Sequence, residues 1–357
     1  MMDLSKIHNF FKRKDVVLSP KRYFIDAMGA MAQGLFASLL IGTIFSTLAK
    51  YTGIELFATI NTYASAVAGA AIGVAIAFAL KAPPLVMFSA AAVGQMANAI
   101  GFTYALPDGT LKTAAAGPAG AFVAVLIAVE LGKLISKETK VDILATPIVT
   151  ILSGALVANF ASPYIGRAMY WLGEFVNVTT ELHPFTMGII VSVVVGIVLT
   201  LPISSAALCA MIGISGIAGG AAVAGCCAQM VGFAVISYRE NKVNGLLAQG
   251  LGTSMLQMGN IVRKPIIWLP VTLASAITGP VSTMIFRLEC VGVSAGMGTC
   301  GLVGPIGVLS ATEEKSAMFW IGFVLVLFVL PAVLSIIFNE IMRKLGLIKT
   351  GDMKLDV

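Results

Sequence analysis

Long apolar stretches alternate with short polar breaks along almost the whole chain. In the first half, these stretches lie at about residues 24–49, 57–80, 84–102, 118–136 and 142–163. In the second half, they lie at about residues 183–203, 206–237, 245–261, 266–286, 289–310 and 316–341. Because a bilayer core takes about 20 apolar residues per helix, the pattern predicts an all-α polytopic membrane protein. We expect about ten transmembrane helices, with broken or re-entrant elements in the second half.

The composition supports a membrane location. The 357 residues are 58% hydrophobic and 11% charged, whereas about 25% of the residues are charged in ordinary globular domains. Too few charged side chains remain to cover a soluble surface. The net charge of +6 comes from basic clusters at the ends of the apolar stretches, where orientation in the membrane explains them. We therefore expect contact with membrane lipid and no binding of nucleic acid.

The basic clusters also indicate how the chain is oriented. They follow the fourth apolar stretch, at Lys133, Lys137 and Lys140, and the last one, from Arg343 onward. Since basic residues near membrane helices favour the cytoplasmic side, both termini are predicted to be cytoplasmic. Four regions follow: a cytoplasmic interfacial basic segment at 1–22, a first transmembrane repeat at 23–175, a second at 176–345 and a cytoplasmic tail at 346–357.

Two short motifs recur in the same order in the two halves. The string QMAN at 95–98 returns as QMGN at 257–260, and Gly-Pro at 117–118 returns at 279–280, both 162 residues later. If each half crosses the membrane five times, the two repeats have opposite orientations. Similar basic strings at 137–140 and 239–242 favour a parallel repeat instead. We prefer the inverted repeat, because small-residue and basic strings match by chance more easily than these spaced motifs.

The first motif supplies four candidate binding residues. Gln95 and Asn98, like Gln257 and Asn260, are three residues apart, so each pair lies on one helical face. Amides within a membrane segment face another helix or a polar cavity, and they both donate and accept hydrogen bonds, which suits a polar solute. We predict that the four amides converge near the membrane midplane. Hydrogen bonds between the repeats would explain them equally well.

The second motif adds four candidate positions. Gly117 with Pro118, and Gly279 with Pro280, are predicted to interrupt helices beside the amides. A helix break frees backbone groups, which persist in a membrane only when they are buried in protein or line a cavity. The glycine-rich run 292–307 is a candidate re-entrant loop for the same reason.

Glu130 is the ionisable residue most expected within a crossing, which makes it a candidate for proton or cation coupling. It lies three residues before Lys133, so an ion pair at the cytoplasmic end is the alternative.

Several chemical functions have little support in the sequence. The five cysteines lie in apolar stretches without metal-site spacing, and no HExxH or Walker-type motif occurs. The chain has only two histidines, His8 and His183, and neither lies in a catalytic pattern with a serine. We expect no enzyme activity, no metal and no cofactor.

Four strings carry a resemblance to a known family. They are GQMANAIGF at 94–102, AAGPAGAFVAV at 115–125, LPISSAALCAMIGISGIAGGAAVAGCCAQMVGFAV at 201–235 and GTSMLQMGNIVRKP at 252–265. With these strings, the chain resembles the phosphotransferase-system EIIC-like membrane family that includes the perfringolysin regulator proteins. The resemblance implies a multi-pass protein of the bacterial cytoplasmic (inner) membrane and a part in sugar transport.

We therefore expect a membrane carrier that translocates a small polar or anionic solute, such as a sugar, by alternating access and without modifying it. One alternative is a membrane-embedded solute sensor or regulator. Another, implied by the resemblance, is a IIC permease that works with separate IIA and IIB phosphotransferase proteins. A homodimer is expected only by analogy with other carriers.

Overall fold

Helices make up 79% of the chain in a computed structural model that describes residues 4–105, 109–312 and 315–355. The side chains of residues 4–8 and of Tyr51 lie outside this description. The helices of the first half are α1 Leu4–Arg13, α2 Arg22–Lys50, α3 Glu55–Ala66, α4 Ala68–Ala79, α5 Pro84–Ala99, α6 Gly117–Ile135 and α7 Asp142–Thr179. Those of the second half are α8 Pro184–Thr200, α9 Ser205–Met211, α10 Gly216–Ile236, α11 Tyr238–Leu247, α12 Met258–Arg263, α13 Pro265–Phe286, α14 Gly292–Ala295, α15 Cys300–Ala311 and α16 Ala317–Lys344.

Six of these helices are long and apolar enough to cross a membrane, counting the described residues only: α2, α6, α7, α10, α13 and α16. The bent pair α3 and α4 would make a seventh span, and α8 and α15 are shorter apolar helices. A mostly helical membrane protein is thereby confirmed. The number of ten crossings and the inverted repeat stay predictions.

The chain divides into two packed units. Unit 1 consists of Met1–Leu39 and Ala66–Ala168, and unit 2 consists of Leu40–Ser65 and Met169–Val357. Residues 40–65, within the first predicted repeat, thus pack in the same unit as the second half of the chain. The two predicted repeats and these two units are different divisions, and the repeats stay a prediction.

Unit 1 contains a small β-sheet that an all-α prediction did not include. Strands β1 Gly101–Ala105 and β2 Leu111–Ala115 pair antiparallel, with Thr103 opposite Thr113. The aromatic and β-branched residues of β1 suit a strand, and a Cβ added at Gly101 would lie 1.9 Å from the Ala114 carbonyl oxygen. The predicted span 84–102 therefore ends at Ala99, and the connection to α6 is a hairpin.

Two predicted spans have different boundaries because apolarity does not report helix continuity. The predicted span 142–163 continues through residues 164–179 as one 38-residue helix, α7, with Pro147 and Pro163 inside it. The predicted span 245–261 is instead broken. A π-helical turn at Ala248–Gly252 is followed by extended Thr253, whose hydroxyl accepts a hydrogen bond from the Met255 N–H at 3.1 Å.

The run 206–237 is also divided, into α9 and α10. Gly213 lies between them with a φ angle of 62°, and Gly216, at the start of α10, has a φ angle of 58°. In the glycine-rich run, Gly298, between α14 and α15, has a φ angle of 53°, and Gly301, in the first turn of α15, has a φ angle of 50°, so the expected interruption of the helix is present. A re-entrant position in the membrane stays a prediction.

Small residues bring the central helices of each unit close together. In unit 1, a Cβ at Gly73 of α4 would lie 2.1 Å from the Ala90 carbonyl oxygen of α5. In unit 2, α10 is the buried centre and packs against α8, α13 and α16. A Cβ at Gly225 would lie 1.9 Å from the Ser192 carbonyl oxygen of α8. Such backbone approach is typical of membrane helix packing.

Candidate functional site

The first amide pair lies on α5, in unit 1, beside the break between α3 and α4. Val67 interrupts the helix there, with φ −95° and ψ 11°. The Gln95 side chain donates from Nε2 to the Ala66 carbonyl oxygen at 2.9 Å and accepts at Oε1 from the Ala70 N–H at 3.1 Å. Gln95 thus pairs with one backbone acceptor and one backbone donor that the helix break leaves free. Such groups find few other hydrogen-bond partners in a membrane interior.

Asn98 follows one turn later on α5 and has a different environment. Its Cβ lies 2.9 Å from the place that a Cβ on Gly69 would occupy, so it faces the start of α4. The side chain is half-buried. Within the described part of the chain, its amide forms no hydrogen bond. Of the first pair, Asn98 is therefore the residue whose hydrogen-bonding groups are available to a ligand.

The second amide pair lies in unit 2, at the end of the broken stretch before α13. Asn260 Nδ2 donates to Gln257 Oε1 at 2.8 Å, which confirms that these two side chains lie on the same face. Gln257 Nε2 donates to Gln249 Oε1 at 2.9 Å, and Gln249 Nε2 donates to the Ser237 hydroxyl at 2.8 Å. All four side chains are buried. They form a continuous chain of donors and acceptors.

The same two amides also bind the segment that follows α16. Gln257 Nε2 donates to the Met353 carbonyl oxygen at 3.0 Å, and Asn260 Nδ2 donates to that of Lys354 at 2.9 Å. A cytoplasmic tail and a midplane amide pair were predicted to lie at different depths, yet their residues are in contact. α12 ends at Arg263, with Lys264 directly after it. The depth of this pair in the membrane stays a prediction.

The two Gly-Pro motifs differ in local structure. Gly117, with φ +61°, begins α6, and Pro118 lies in its first turn, where proline is well tolerated. Gly279 and Pro280 instead lie inside α13, and a Cβ at Gly279 would lie 2.1 Å from the Gly188 carbonyl oxygen. Gly117–Pro118 belongs to unit 1 and Gly279–Pro280 to unit 2, as do the respective amide pairs. Convergence of the eight positions on one solute stays a prediction.

Glu130 forms the local ion pair that the sequence offered as an alternative to coupling. Its Oε2 lies 3.0 Å from Lys133 Nζ, and Tyr23 donates to its Oε1 at 3.3 Å. Lys133 is 1% exposed and also donates to the carbonyl oxygens of Asp15, at 2.7 Å, and Leu80, at 3.0 Å. The pair therefore connects α6 to the residues that follow α1 and α4. A role in ion coupling stays a prediction.

A buried polar cluster around Gln229 escaped the sequence analysis. Gln229 lies on α10, and its Oε1 accepts from Trp268 Nε1 at 2.9 Å and from Thr200 Oγ1 at 3.2 Å. Its Nε2 lies 3.3 Å from Ser275 Oγ. The available signal was the dipeptide Gln229-Met230, which repeats the Gln-Met of both amide motifs. This cluster places a satisfied amide among the three central helices of unit 2.

A pocket of about 320 Å³ lies between β1 and α7, within unit 1. The Arg167 guanidinium lies 4.9 Å from the centroid of the Phe102 ring, and no ion pair of Arg167 occurs among the described residues. Aromatic faces with a guanidinium and an amide can bind a small polar or anionic molecule. The pocket is lined by Phe102, Asn159, Phe160, Pro163, Tyr164 and Arg167.

The cysteines are buried free thiols in unit 2. Among the described residues, no group of three His, Cys, Asp or Glu side chains could hold a metal ion.

Apolar helices of membrane-spanning length, together with buried amides such as Gln229, Gln257 and Asn260, define a polytopic membrane protein with polar interior positions. The family model described as Phosphotransferase system, EIIC matches residues 25–355, and the chain belongs to this family. The resemblance carried by the four strings is thereby confirmed. The family comprises membrane components of sugar transport that are generally not catalytic on their own. No curated protein and no solved structure gives a significant match.

Proposed function

We propose that this chain is a carrier of the bacterial cytoplasmic membrane that moves a small polar or anionic solute, such as a sugar, by alternating access. The observation that carries the proposal is Asn98, a half-buried amide beside a helix break with no hydrogen bond in the described part of the chain. A half-buried amide of this kind can donate and accept hydrogen bonds, so a solute hydroxyl or carboxylate could bind there without displacing a protein partner.

The proposed solute contacts are the two amide pairs and the backbone at Gly117–Pro118 and Gly279–Pro280. Within the first pair, Asn98 binds solute and Gln95 holds the helix break. Within the second, Gln257 and Asn260 offer donors that now bind backbone carbonyls. Alternating access needs a site that opens to each side in turn. A second pair near the cytoplasmic end suits release of solute to the cytoplasm.

The experiment is solute binding to the purified full-length chain in proteoliposomes, with radiolabelled hexoses, hexitols and hexonates as probes. Asn98→Ala should weaken the binding of the accepted probe about tenfold, because a hydrogen bond to a buried polar or charged group contributes about 1.4 kcal/mol. Asn177→Ala is the matched control, since Asn177 is an exposed amide on α7. Equal binding by both variants and the parent would refute the site.

Family membership implies that separate IIA and IIB proteins and a sugar substrate belong to the transport system. We propose that this chain alone translocates the solute unmodified, and that any phosphorylation requires those partners. Proteoliposomes that contain only this chain should accumulate free sugar to equilibrium. Uptake that occurs only when IIA, IIB and a phosphate donor are supplied would favour the IIC permease over the independent carrier.

The proposed topology places both termini and the basic ends of α6 and α16 in the cytoplasm. An impermeant thiol reagent applied outside intact cells should then label Lys112→Cys, on the hairpin strand β2, and not Leu345→Cys. Both residues are exposed in the structure, Lys112 on β2 and Leu345 directly after α16. Labelling of Leu345→Cys from outside would overturn this orientation.

A further inference from the structure

The segment Ile348–Leu355, hereafter the C-terminal segment, lies along α11 and α12 of unit 2. Asn241 binds it on both sides of one residue. Its Nδ2 donates to the Met353 carbonyl oxygen at 2.8 Å, and its Oδ1 accepts from the Leu355 N–H at 2.8 Å. One side-chain amide thus binds two backbone groups of the segment directly after the turn at residues 350–353, as side chains that hold a peptide ligand do.

Further contacts fix the register of the C-terminal segment. Lys264 Nζ lies 2.5 Å from Asp352 Oδ2, and the Gly351 N–H donates to Glu240 Oε1 at 3.3 Å. The side chains of Ile348, Met353 and Leu355 are buried, so both sides of the turn at residues 350–353 are anchored in the protein. Together with Gln257 and Asn260, these contacts describe a groove that binds the carboxylate of Asp352 and the backbone carbonyl oxygens of Met353 and Lys354.

The hydrogen bonds of Asp352, Met353 and Lys354 with the groove come from the side chains of Asn241 on α11, Gln257 directly before α12, Asn260 on α12 and Lys264 directly after it. No hydrogen bond of a helix or sheet ladder would be broken if these residues left. Their departure would free three amide donors, on Asn241, Gln257 and Asn260, and one ammonium group, on Lys264. Four donors with one positive charge suit a ligand rich in acceptors that carries a carboxylate or phosphate.

We propose that the C-terminal segment is an intramolecular ligand that competes with transported solute for the second amide pair. The Asp352 carboxylate occupies the position that the acid group of an anionic polyol would take, and the Met353 and Lys354 carbonyl oxygens occupy those of its hydroxyl groups. This inference rests on the proposed carrier function. It adds a substrate class, sugar acids or sugar phosphates, and a device that closes the site when no solute is bound.

Docking of the segment is tested first, without any solute. In the full-length chain, Met353→Cys should react slowly with an impermeant maleimide, because Met353 is 0% exposed, whereas Leu345→Cys should react fast. Asp352→Lys or Lys264→Asp should accelerate the reaction of Met353→Cys about tenfold, since each replaces the ion pair with repulsion. The double swap should restore slow labelling. Arg263→Asp, at the exposed neighbour of Lys264, should leave the rate unchanged.

Two labelling results would overturn the proposal. One is fast labelling of Met353→Cys in the otherwise unchanged chain, which means that the segment is not docked. The other is failure of the charge swap to restore protection. The native cysteines are buried, and the parent chain without the new thiol gives the background rate.

Competition is tested next with two probes, labelled gluconate as an anionic polyol and glucitol as its neutral counterpart. Asp352→Asn weakens docking but leaves every proposed solute contact in place, so it should bind gluconate at least fivefold more tightly than the parent. Glucitol should bind more weakly than gluconate to both proteins and should gain by a similar factor, because release of the segment raises the competent fraction equally for both probes. Equal affinity of gluconate for the two proteins would overturn the competition even if docking is observed. If neither protein binds either probe or any other sugar, the carrier function itself is refuted. The labelling rates would still report whether the segment is docked.

Discussion

Substitutions of the two amides of the first pair, Gln95 and Asn98, should have different effects on stability and on solute binding. Gln95→Leu keeps the size of the side chain but removes both hydrogen bonds at the helix break, with the Ala66 carbonyl and the Ala70 N–H. Hydrogen bonds in membrane proteins average about 0.6 kcal/mol and reach about 1.7 kcal/mol. Loss of two should therefore lower the free energy of unfolding by about 1–3 kcal/mol. The smaller value applies if water reaches the break and the larger if only lipid does.

Asn98→Ala should lower the unfolding free energy by less than about 0.5 kcal/mol, because its amide forms no hydrogen bond in the described part of the chain. The assay is reversible unfolding in mixed detergent micelles with increasing dodecyl sulfate, followed by tryptophan fluorescence, with Asn177→Ala as the control. Solute binding should show the opposite order of effects, a large loss for Asn98→Ala and a small one for Gln95→Leu. Equal destabilisation by the two variants, or a neutral Gln95→Leu, would refute the division of roles.

Three further outcomes follow from other contacts. Glu130→Gln should destabilise the protein by about 3 kcal/mol in the same unfolding assay, because it leaves Lys133 as a buried charge without its counter-ion. The double variant Glu130→Gln with Lys133→Met removes both charges and should recover most of the lost stability. If it does not, the ion pair is not the cause of the loss. Gly225→Val should prevent folding, since its Cβ would lie 1.9 Å from the Ser192 carbonyl oxygen; a stable, monodisperse variant in size-exclusion chromatography would contradict this packing. Partial burial alone would raise the pKa of Asp352, but the hydrogen bonds from Lys264 and from the Lys349 N–H lower it by more. A lowered carboxyl pKa stabilises the docked segment above the ordinary value of about 3.9 and loses that effect as the pH falls through the folded value. Hydrogen exchange of the segment should thus show constant protection from about pH 8 to 5 and a loss below about 4, and a loss near neutral pH would show that another group controls docking.

Apolar runs located the helices well where a helix is continuous. The predicted stretches 118–136 and 183–203 correspond to α6 at Gly117–Ile135 and α8 at Pro184–Thr200. Continuity itself is not visible in hydropathy, because a glycine or a polar cap changes the average of a long window very little. The interruption at Thr253 depends on one side-chain hydrogen bond, and that at Val67 on two contacts from Gln95.

The amide motifs identified side chains that bind, but not what they bind. The pattern predicted a shared face for Gln257 and Asn260, and their direct hydrogen bond agrees. The partners of these amides are backbone carbonyls about 95 residues further along the chain, and a carbonyl has no sequence signature. Gln229 was missed because the two-motif repeat drew attention to amides that recur at a fixed offset, whereas this one has its partners on neighbouring helices.

The length of α7 has a consequence for the choice of lipid. Its 38 residues extend over about 57 Å at 1.5 Å per residue, almost twice the roughly 30 Å of a bilayer core. Exposed apolar side chains run from Ile143 to Phe160, about 26 Å along the axis, before Arg167 and Trp171 provide groups suited to the headgroup region. Reconstitution into bilayers with much longer or shorter acyl chains should force the helix to tilt or the bilayer to deform, so transport rates will depend on membrane thickness as well as on solute.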